Sequence, residues 1–513
     1  MFYHSKNSCS VFYNFIAYGL INFVKNHTMN ITYHTRFTIK FLALTFILML
    51  NGCNKTSEKN LPDQEIQKQS LFAIKNVTII PMTVDNTIIK NATVVIDNKK
   101  IIAINDSIPA GAKIIDGKDK WLIPGLMDMH VHTNADLNFR ENAATQAATF
   151  FMDTQDVMTT YIANGVTTIF ELDGRVEHFG QRNEIAKGKV IGPRMALAAL
   201  INGKGPNSHG RIVNTASDAR QAVRSAKAEG YNFIKAYSQL NIESFKALVD
   251  ESEKQGLKVV GHIPNAFEGQ TEKAFIPHFG LVAHAEEYSK QIRNQDKTKK
   301  DAQYFAEMTK KSNTWVIPNL IALVSVAKQA RSLDSIRLME TLKYVHPLLQ
   351  DKWLTSNQYH NNASPENIAY FDDIISFHKD LVKAFKKAGV PMVAGTDAGT
   401  SGVLTGFSLH NELELLVDAG LTNEEALISA TRLPSEWLEI NSKVGTVERG
   451  KYADLILLDA NPLDDIKNTR KISGVFVDGR WVNKEKIDTM LSELAQKNKA
   501  DKDNFEWKKR REY

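Results

Sequence analysis

The sequence predicts an α/β fold, namely a (β/α)8 TIM barrel with a small β-sandwich that is built from both ends of the chain. Short β-branched runs cut by turn residues occur near both ends. Between them, apolar strand-like runs alternate with amphipathic helical stretches, which is typical of a parallel sheet. The length of 513 residues is enough for one large barrel and a smaller accessory unit.

The first half of the sandwich is predicted in residues 71–123. Runs such as LFAIKNVTIIP and ATVVIDNKKIIAI are separated there by turn residues. The second half is predicted in residues 443–485, where YADLILLDANP and ISGVFVDGRWVN have the same texture. We therefore expect the two halves to form one sandwich.

The barrel is predicted in residues 124–442. Eight strand-like runs follow one another there, and a closed barrel explains their order better than an open doubly wound sheet. They are Leu126–His132, Val166–Glu171, Met195–Ile201, Phe233–Tyr237, Lys258–Ile263, Leu281–Ala285, Trp315–Pro318 and Met392–Thr396.

Helices are predicted between or after these strands. The clearest amphipathic stretches are Ala216–Glu229, Ile242–Gln255 and Asn423–Ala430. The stretch 321–389 is too long for one crossover helix, so we expect additional helices over the barrel mouth. Residues 486–513, in a charged stretch that starts at Lys484, are expected to form a solvated C-terminal helix.

The charge of the chain gives no argument for a nucleic-acid partner. The formal net charge is +5. Residues 1–52 contribute four of these charges through Lys6, Lys25, Arg36 and Lys40, and they contain no acid, so the rest is close to neutral. A bound nucleic acid is therefore not expected.

Residues 1–52 are predicted to be a presequence with a bacterial lipoprotein signal. The short apolar run Phe41–Leu50 leads directly into Leu-Asn-Gly-Cys, which ends at Cys53. A transmembrane helix is the alternative, but the run is shorter than the roughly 20 residues that span a bilayer. We expect translation to start at Met29, Cys53 to be acylated, and residues 53–70 to be a tether. The protein would then be membrane-anchored on the periplasmic side or the cell surface.

Polar residues stand at the carboxyl ends of several predicted strands. His130 and His132 lie two residues apart in PGLMDMHVH and so share one face of their strand. Lys235 lies within the apolar run FIKAY, where a buried unpaired ammonium would be costly. The other strand ends carry His262, His284 and Asp397.

Each of these residues has an ordinary explanation when it is taken alone. A His-x-His pair is often incidental, the lysine could reach solvent, and the others could be hydrogen-bonded core residues. In a (β/α)8 barrel, however, the carboxyl ends of the strands meet at the rim where active sites lie. With only two cysteines, Cys9 and Cys53, any metal here must be bound by His, Asp, Glu or a modified Lys.

These residues resemble the binuclear metal site of the amidohydrolase superfamily. The strings PGLMDMHVH, FIKAY, GHIP, AGTDAG, FSLHNELELLVDAG and ADLILLDANPL are similar to its imidazolonepropionase-related branch, which includes metal-dependent Xaa-Pro dipeptidases. The resemblance covers about residues 71–483. It implies one ion on His130, His132 and Asp397, a second on His262 and His284, and a carboxylated Lys235 bridging both.

The resemblance also implies a mechanism that agrees with physical chemistry. Imidazole and carboxylate ligands suit Zn²⁺ or a similar ion, and two ions ~3.5–4 Å apart lower the pKa of a bridging water. Asp397 would accept the proton of the attacking hydroxide and pass it to the leaving nitrogen. Tyr237 resembles the tyrosine that reaches the substrate carbonyl in relatives; otherwise it is a packed aromatic residue.

Two departures from the family pattern concern the substrate. Dipeptidase-type relatives often have Gly-Gly-His-Gly after the third strand, whereas this chain has NGKGPNSHGR at 202–211. His209 and Arg211 are predicted to face the substrate, but the changed loop leaves dipeptide specificity open. Glu286 follows His284 closely; it either adds a charge near the site or, as we favour, is a solvent-facing loop acid.

The sequence therefore predicts a metal-dependent hydrolase that cuts the C–N bond of an amide, either an Xaa-Pro dipeptide or a cyclic amide. A heterocycle deaminase of the same superfamily is the first alternative, although such relatives usually use one metal and lack the lysine. A surface lipoprotein that binds a ligand without turnover is the second. A small-molecule or short-peptide substrate and a membrane are the expected partners, and a homo-oligomer is left open.

Overall fold

A computed structural model describes residues 71–133, 136–137, 150–205, 208–293 and 296–512 of the chain. The predicted lipoprotein signal, Cys53 and the tether lie outside the described residues. Among the described residues, no helix is long and apolar enough to cross a membrane.

The barrel sheet contains seven strands that are parallel and follow chain order. Their bounds lie within two residues of the first seven predicted strands, which confirms the predicted fold class. The strands are Leu126–Val131, Val166–Glu171, Arg194–Asn202, Phe233–Ala236, Lys258–Gly261, Phe279–Ala283 and Trp315–Ile317. The short strand Arg211–Ile212 pairs with the third, and Asp136–Leu137 pairs with Phe150–Phe151 outside the barrel.

The eighth predicted strand, Met392–Thr396, lies in place but does not form a continuous ladder. Single parallel bridges join Met392 to Val316 on the seventh strand and Ala398 to Val131 on the first. The segment thus closes the barrel with irregular hydrogen bonding, and the chain turns sharply at its end.

Each of the eight strands contributes an apolar side chain to the barrel interior. Trp437 packs among these side chains, with its ring 5.5 Å from that of Phe233. The interior is therefore a filled core that supports the rim rather than a pore. The eight side chains are Met129, Phe170, Ala198, Phe233, Val260, Leu281, Ile317 and Val393.

Helices surround the barrel where the amphipathic patterns predict them. Ala216–Glu229 forms as predicted, because Thr215 and Asp218 make a reciprocal capping box and Gly230 ends the helix at a φ of 98°. Ile242–Lys254 and Asn423–Ser429 each end one residue earlier than predicted. The remaining helices of this layer are Thr154–Ala163, Val176–Ala186, Glu286–Lys290, Lys299–Lys311, Phe407–Asp418 and Arg432–Trp437.

The additional helices expected in 321–389 are present, and we call residues 320–388 the helical insert. Its longest helix starts after the N-cap Ser364 and ends at Gly389 in a left-handed conformation. The insert consists of Leu320–Arg331, Asp334–Arg337, the 3₁₀ segment Glu340–Tyr344, Pro347–Thr355, Gln358–Asn361 and Pro365–Ala388.

Strands from both ends of the chain form a second sheet of eight strands. The two groups meet where Trp121–Pro124 pairs antiparallel with Leu455–Leu458. Phe72 packs edge-on against Phe476 at 5.3 Å, within one core shared by both groups. The other strands are Leu71–Ile79, Ile89–Asp97, Lys100–Ile104, Lys113–Asp116, Ile472–Val477 and Arg480–Asn483.

The C-terminal helix, Lys484–Ala500, is less solvated than the sequence analysis expects. Ile487, Met490 and Leu494 recur at helical spacing and are buried against the helix Thr154–Ala163. Trp507, beyond the helix, is only 1% exposed and packs with residues of the helical insert. The many charges of this segment occupy the opposite face and conceal the apolar stripe in the sequence.

Trp507→Ala is expected to lower the free energy of unfolding by about 3–5 kcal/mol, because it removes a buried aromatic side chain from the insert's core. Urea denaturation of the purified protein measures this. Lys508→Ala, at an exposed neighbouring position, is the control and should change little. Equal stability of the two variants would show that the C-terminal segment is not packed as described.

Candidate metal centre

Six polar side chains meet at the rim formed by the carboxyl ends of the barrel strands. His130 lies near the end of the first strand and His132 just after it, while Lys235 lies on the fourth. The remaining members follow the fifth, sixth and eighth strands, and they are His262, His284 and Asp397. This is the rim where active sites of (β/α)8 barrels are built.

Asp397 joins the two histidines of the first strand. Its Oδ1 lies 3.2 Å from Nε2 of His130 and 3.1 Å from Nε2 of His132. These three ligand atoms lie within 4.8 Å of one another, so one metal ion can contact all three. Lys235 Nζ adjoins the group, at 2.9 Å from His130 Nε2.

His262 and His284 form a second pair beside the first group. Their ring centroids are 5.0 Å apart, and the His284 ring lies 4.7 Å from that of His130. Nε2 of His262 is buried and has no hydrogen-bond partner among the described residues. An unpaired buried acceptor is costly unless a ligand satisfies it, so this atom fits a bound cation.

Left-handed backbone turns direct two of these side chains into the centre. The φ of His284 is 77° and that of Asp397 is 61°, a region that non-glycine residues rarely adopt. Each turn is held by the neighbouring strand, since His284 N donates to Ile317 O at 2.8 Å and Asp397 N to His130 O at 2.7 Å. Hydrogen bonds between neighbouring strands thus sustain the local strain.

Oxygen atoms outside the six residues fix the orientation of three imidazoles. Nδ1 of His130 lies 3.1 Å from Oδ1 of Asn319, so its proton is directed to the amide oxygen. The same ring atom of His132 lies 3.2 Å from Glu171 Oε1. That of His262 lies 2.7 Å from the hydroxyl oxygen of Ser238 and 3.1 Å from Glu287 Oε1. In each ring Nε2 is thereby directed to the centre, as in carboxylate-supported metal sites.

The sequence analysis does not identify these four supporting residues. Glu171 ends the second strand, Ser238 follows the fourth and Asn319 follows the seventh, so the strand-end argument could have found these three. Glu287 lies on the helix after the sixth strand and not at a strand end, so the strand-end argument does not identify it.

Burial keeps most of the imidazoles neutral. It lowers the pKa of His284 to about 4 and those of His130 and His262 well below the usual value. His132 differs: burial opposes its charge, but hydrogen bonds to Asp397 and Glu171 prevail and raise its pKa to about 10. Without a metal this ring keeps a proton, which a bound cation would displace.

Lys235 has an environment that favours a neutral amine. Its side chain is 1% exposed, and burial lowers its pKa to about 8 although Asp397 and Asp173 act in the opposite direction. A fraction of the amine is therefore neutral near physiological pH, and neutral amines are nucleophilic.

The predicted substrate residues divide into two groups. The Tyr237 ring lies 4.1 Å from His262 and 4.6 Å from His209, so both Tyr237 and His209 are at the centre. Arg211 instead forms an ion pair with Glu229 and lies over the ring of Tyr231. Its guanidinium is occupied there, and the structure does not bring Arg211 to the metal centre.

The family model of the amidohydrolase family matches residues 121–482 of this chain. A segment of 108 residues is 35% identical to an imidazolonepropionase of Maricaulis maris, covering 20% of this chain and 26% of that protein. A segment of 61 residues is 38% identical to a 5-methylthioadenosine/S-adenosylhomocysteine deaminase of Bacillus anthracis, covering 11% and 14%. The matches thus span about a quarter or less of each curated relative.

The chain is also similar to a solved Xaa-Pro dipeptidase with methionine bound in its active site. The TM-score is 0.61 at 22% sequence identity, and the likeness covers 81% of this chain and 100% of that chain. At this identity the likeness concerns the fold.

Glu171→Gln is expected to weaken zinc binding by roughly 10–100-fold, because Glu171 orients His132 and such supporting partners contribute about that much to metal affinity. Competition against a chromophoric chelator measures the affinity. Glu184→Gln, an exposed acid paired with Lys189, is the control. Unchanged affinity in Glu171→Gln would contradict the supporting role.

Proposed function

This chain belongs to the amidohydrolase family, and we propose that it is a metal-dependent hydrolase of an amide C–N bond. One observation carries the proposal. Nε2 atoms of His130 and His132 converge on Asp397 beside a buried lysine, while His262 presents an unpaired Nε2 next to them. Neutral imidazoles and a carboxylate are suitable ligands for a divalent ion, and zinc is the metal we propose.

The side chains are sufficient for two ions. His130, His132 and Asp397 would hold the first, and His262 and His284 the second. Lys235, carboxylated by CO₂, would contribute one oxygen to each ion; its low pKa supports this reaction because only the neutral amine adds to CO₂. When bound, such ions polarise a carbonyl and lower the pKa of a water molecule.

Two residues of the chain carry the proposed proton transfer and orientation. Asp397 lies against both histidines of the first strand, where its carboxylate accepts a proton from the attacking water and delivers it to the leaving nitrogen. Burial raises the pKa of Tyr237, so its hydroxyl stays protonated and donates a hydrogen bond to the substrate carbonyl. His209 adjoins Tyr237 and faces the substrate in this arrangement.

We propose a short peptide with a proline-like end, or a cyclic amide, as the substrate. The likeness to a solved Xaa-Pro dipeptidase supports the first, and the match to an imidazolonepropionase supports the second. Heterocycle deamination is a second candidate, favoured by the match to a deaminase. A bridging Lys235 argues against it, since one ion suffices for that reaction in relatives.

Cys53 is proposed to carry the lipid that anchors the protein to a membrane, on the evidence of the preceding apolar run. Cys53→Ser should move the protein from the membrane to the soluble fraction and block processing of the precursor. Cell fractionation and the mass of the mature N-terminus measure both. A variant that partitions and is processed like the original protein would overturn the proposal.

Lys235→Ala is expected to lose metal and turnover together, because five remaining ligands lack the bridge that holds two like charges close. The zinc-loaded protein should contain two ions per chain and hydrolyse at least one amide in a panel of dipeptides, acylated amino acids, lactams and lactones. Elemental analysis and product detection are the measurements. Added propionate should restore part of both by occupying the vacated bridge.

Lys258→Ala is the matched control, since this half-buried lysine lies at the start of the fifth strand, away from the rim. It should retain two ions and near-normal turnover. Full metal content and turnover in Lys235→Ala would remove the bridging lysine from the mechanism. One ion with full activity in the original protein would favour the deaminase, and metal binding without any turnover would favour the ligand-binding lipoprotein.

A further inference from the structure

Glu286 is a charged residue that the proposed mechanism does not use. It starts the helix Glu286–Lys290, two residues after His284. Its side chain is 39% exposed, which agrees with the expectation that Glu286 faces solvent. Lys290 links the Glu286 carboxylate to Glu287, and Glu287 contacts the ring of His262. Glu286 is therefore joined to the metal centre by a short chain of charged contacts, and it is reachable from solvent.

Lys290 is shared between two acids. Its Nζ lies 2.8 Å from Oε1 of Glu287 and 3.4 Å from Oε1 of Glu286. Glu287 is fully buried and also contacts Nδ1 of His262. One ammonium cannot neutralise two carboxylates, so a negative charge remains, and it lies on Glu286, the more exposed and more loosely paired acid.

His378 and Lys297 do not offset this charge. Burial lowers the pKa of His378 to about 3, so its imidazole is neutral, and Lys297 is paired with Asp373 at 3.0 Å. Moreover, Oε2 of the buried Glu287 has no hydrogen-bond partner in the described part of the chain. The cluster thus has both an excess charge and an unsatisfied acceptor, which a ligand with N–H donors would satisfy.

We propose that Glu286 is a specificity-determining residue that selects amide substrates with a cationic group, an ammonium or a guanidinium, near the scissile bond. The inference rests on the proposed function. A cation at Glu286 gains a charge-assisted hydrogen bond, whereas an anion meets an unneutralised carboxylate. Cationic substrates are therefore hydrolysed with a higher kcat/KM than neutral ones of the same shape, and anionic ones with the lowest.

The test compares dipeptides that differ in one side chain. Two series place lysine, norleucine or glutamate either before proline or after alanine, so that each side of the scissile bond is probed. In one of the two series, the zinc-loaded protein should hydrolyse the lysine peptide with a kcat/KM about tenfold higher than that of the norleucine peptide. The difference should lie mainly in KM, as expected for one charge-assisted hydrogen bond to the substrate. Glu286→Gln should remove this preference and raise the relative rate of the glutamate peptide.

A binding measurement keeps the inference separate from turnover. Calorimetric titration of the metal-depleted protein with lysine and with norleucine should give the same order of Kd and the same loss in Glu286→Gln. Glu448→Gln is the matched control, because Glu448 is also paired with a lysine three residues away and is 46% exposed. It should keep the preference of the original protein.

The outcomes separate this inference from the proposed function. Metal-dependent hydrolysis without a charge preference, or with a preference that Glu286→Gln retains, would overturn the role of Glu286 and leave the hydrolase proposal standing. A Glu286-dependent preference in binding with no hydrolysis of any peptide would support the cation site and overturn the proposed peptide hydrolysis.

Discussion

The close approach of the first and eighth barrel strands is the contact on which the geometry of the centre depends. A side chain on Gly395 would place its Cβ 2.9 Å from the backbone nitrogen of His130, so only glycine allows the strands to meet. The meeting lets Asp397 N donate to His130 O, which holds Asp397 in its left-handed turn. Its carboxylate then reaches both histidines, and the filled barrel interior keeps the two strands from separating.

Buried oxygen atoms behind the histidines determine which ring nitrogens face the metal centre. Asn319 orients His130 from the start of the helical insert, and the insert is itself fixed by Glu412, whose carboxylate accepts the N–H groups of Leu320 and Ile321. Glu171 serves His132 in the same way. Buried acids thus determine which ring nitrogens face the centre, and burial of the rings determines that most of them are neutral.

The mouth of the barrel combines segments that are far apart in sequence. The helix after the sixth strand contributes Glu286, and the changed loop contributes His209. The C-terminal segment reaches the insert through Trp507, which packs in one cluster with Leu404 from the loop after Asp397. In the proposed function, substrate selection therefore depends on surfaces outside the set of metal ligands.

The sequence by itself determined the barrel, its strand order and the six residues that meet at the rim. This was possible because strand periodicity and strand ends are local features, and because the carboxyl ends of parallel strands necessarily converge. The tertiary structure alone decided what supports and surrounds these residues: that Glu287 serves His262, that Arg211 turns to Glu229, and that the charged C-terminal helix buries one face. Those outcomes depend on side-chain contacts between distant segments. Such contacts compete for burial and hydrogen bonds, so the local pattern does not identify the partner, even where, as in the C-terminal helix, an apolar stripe is present.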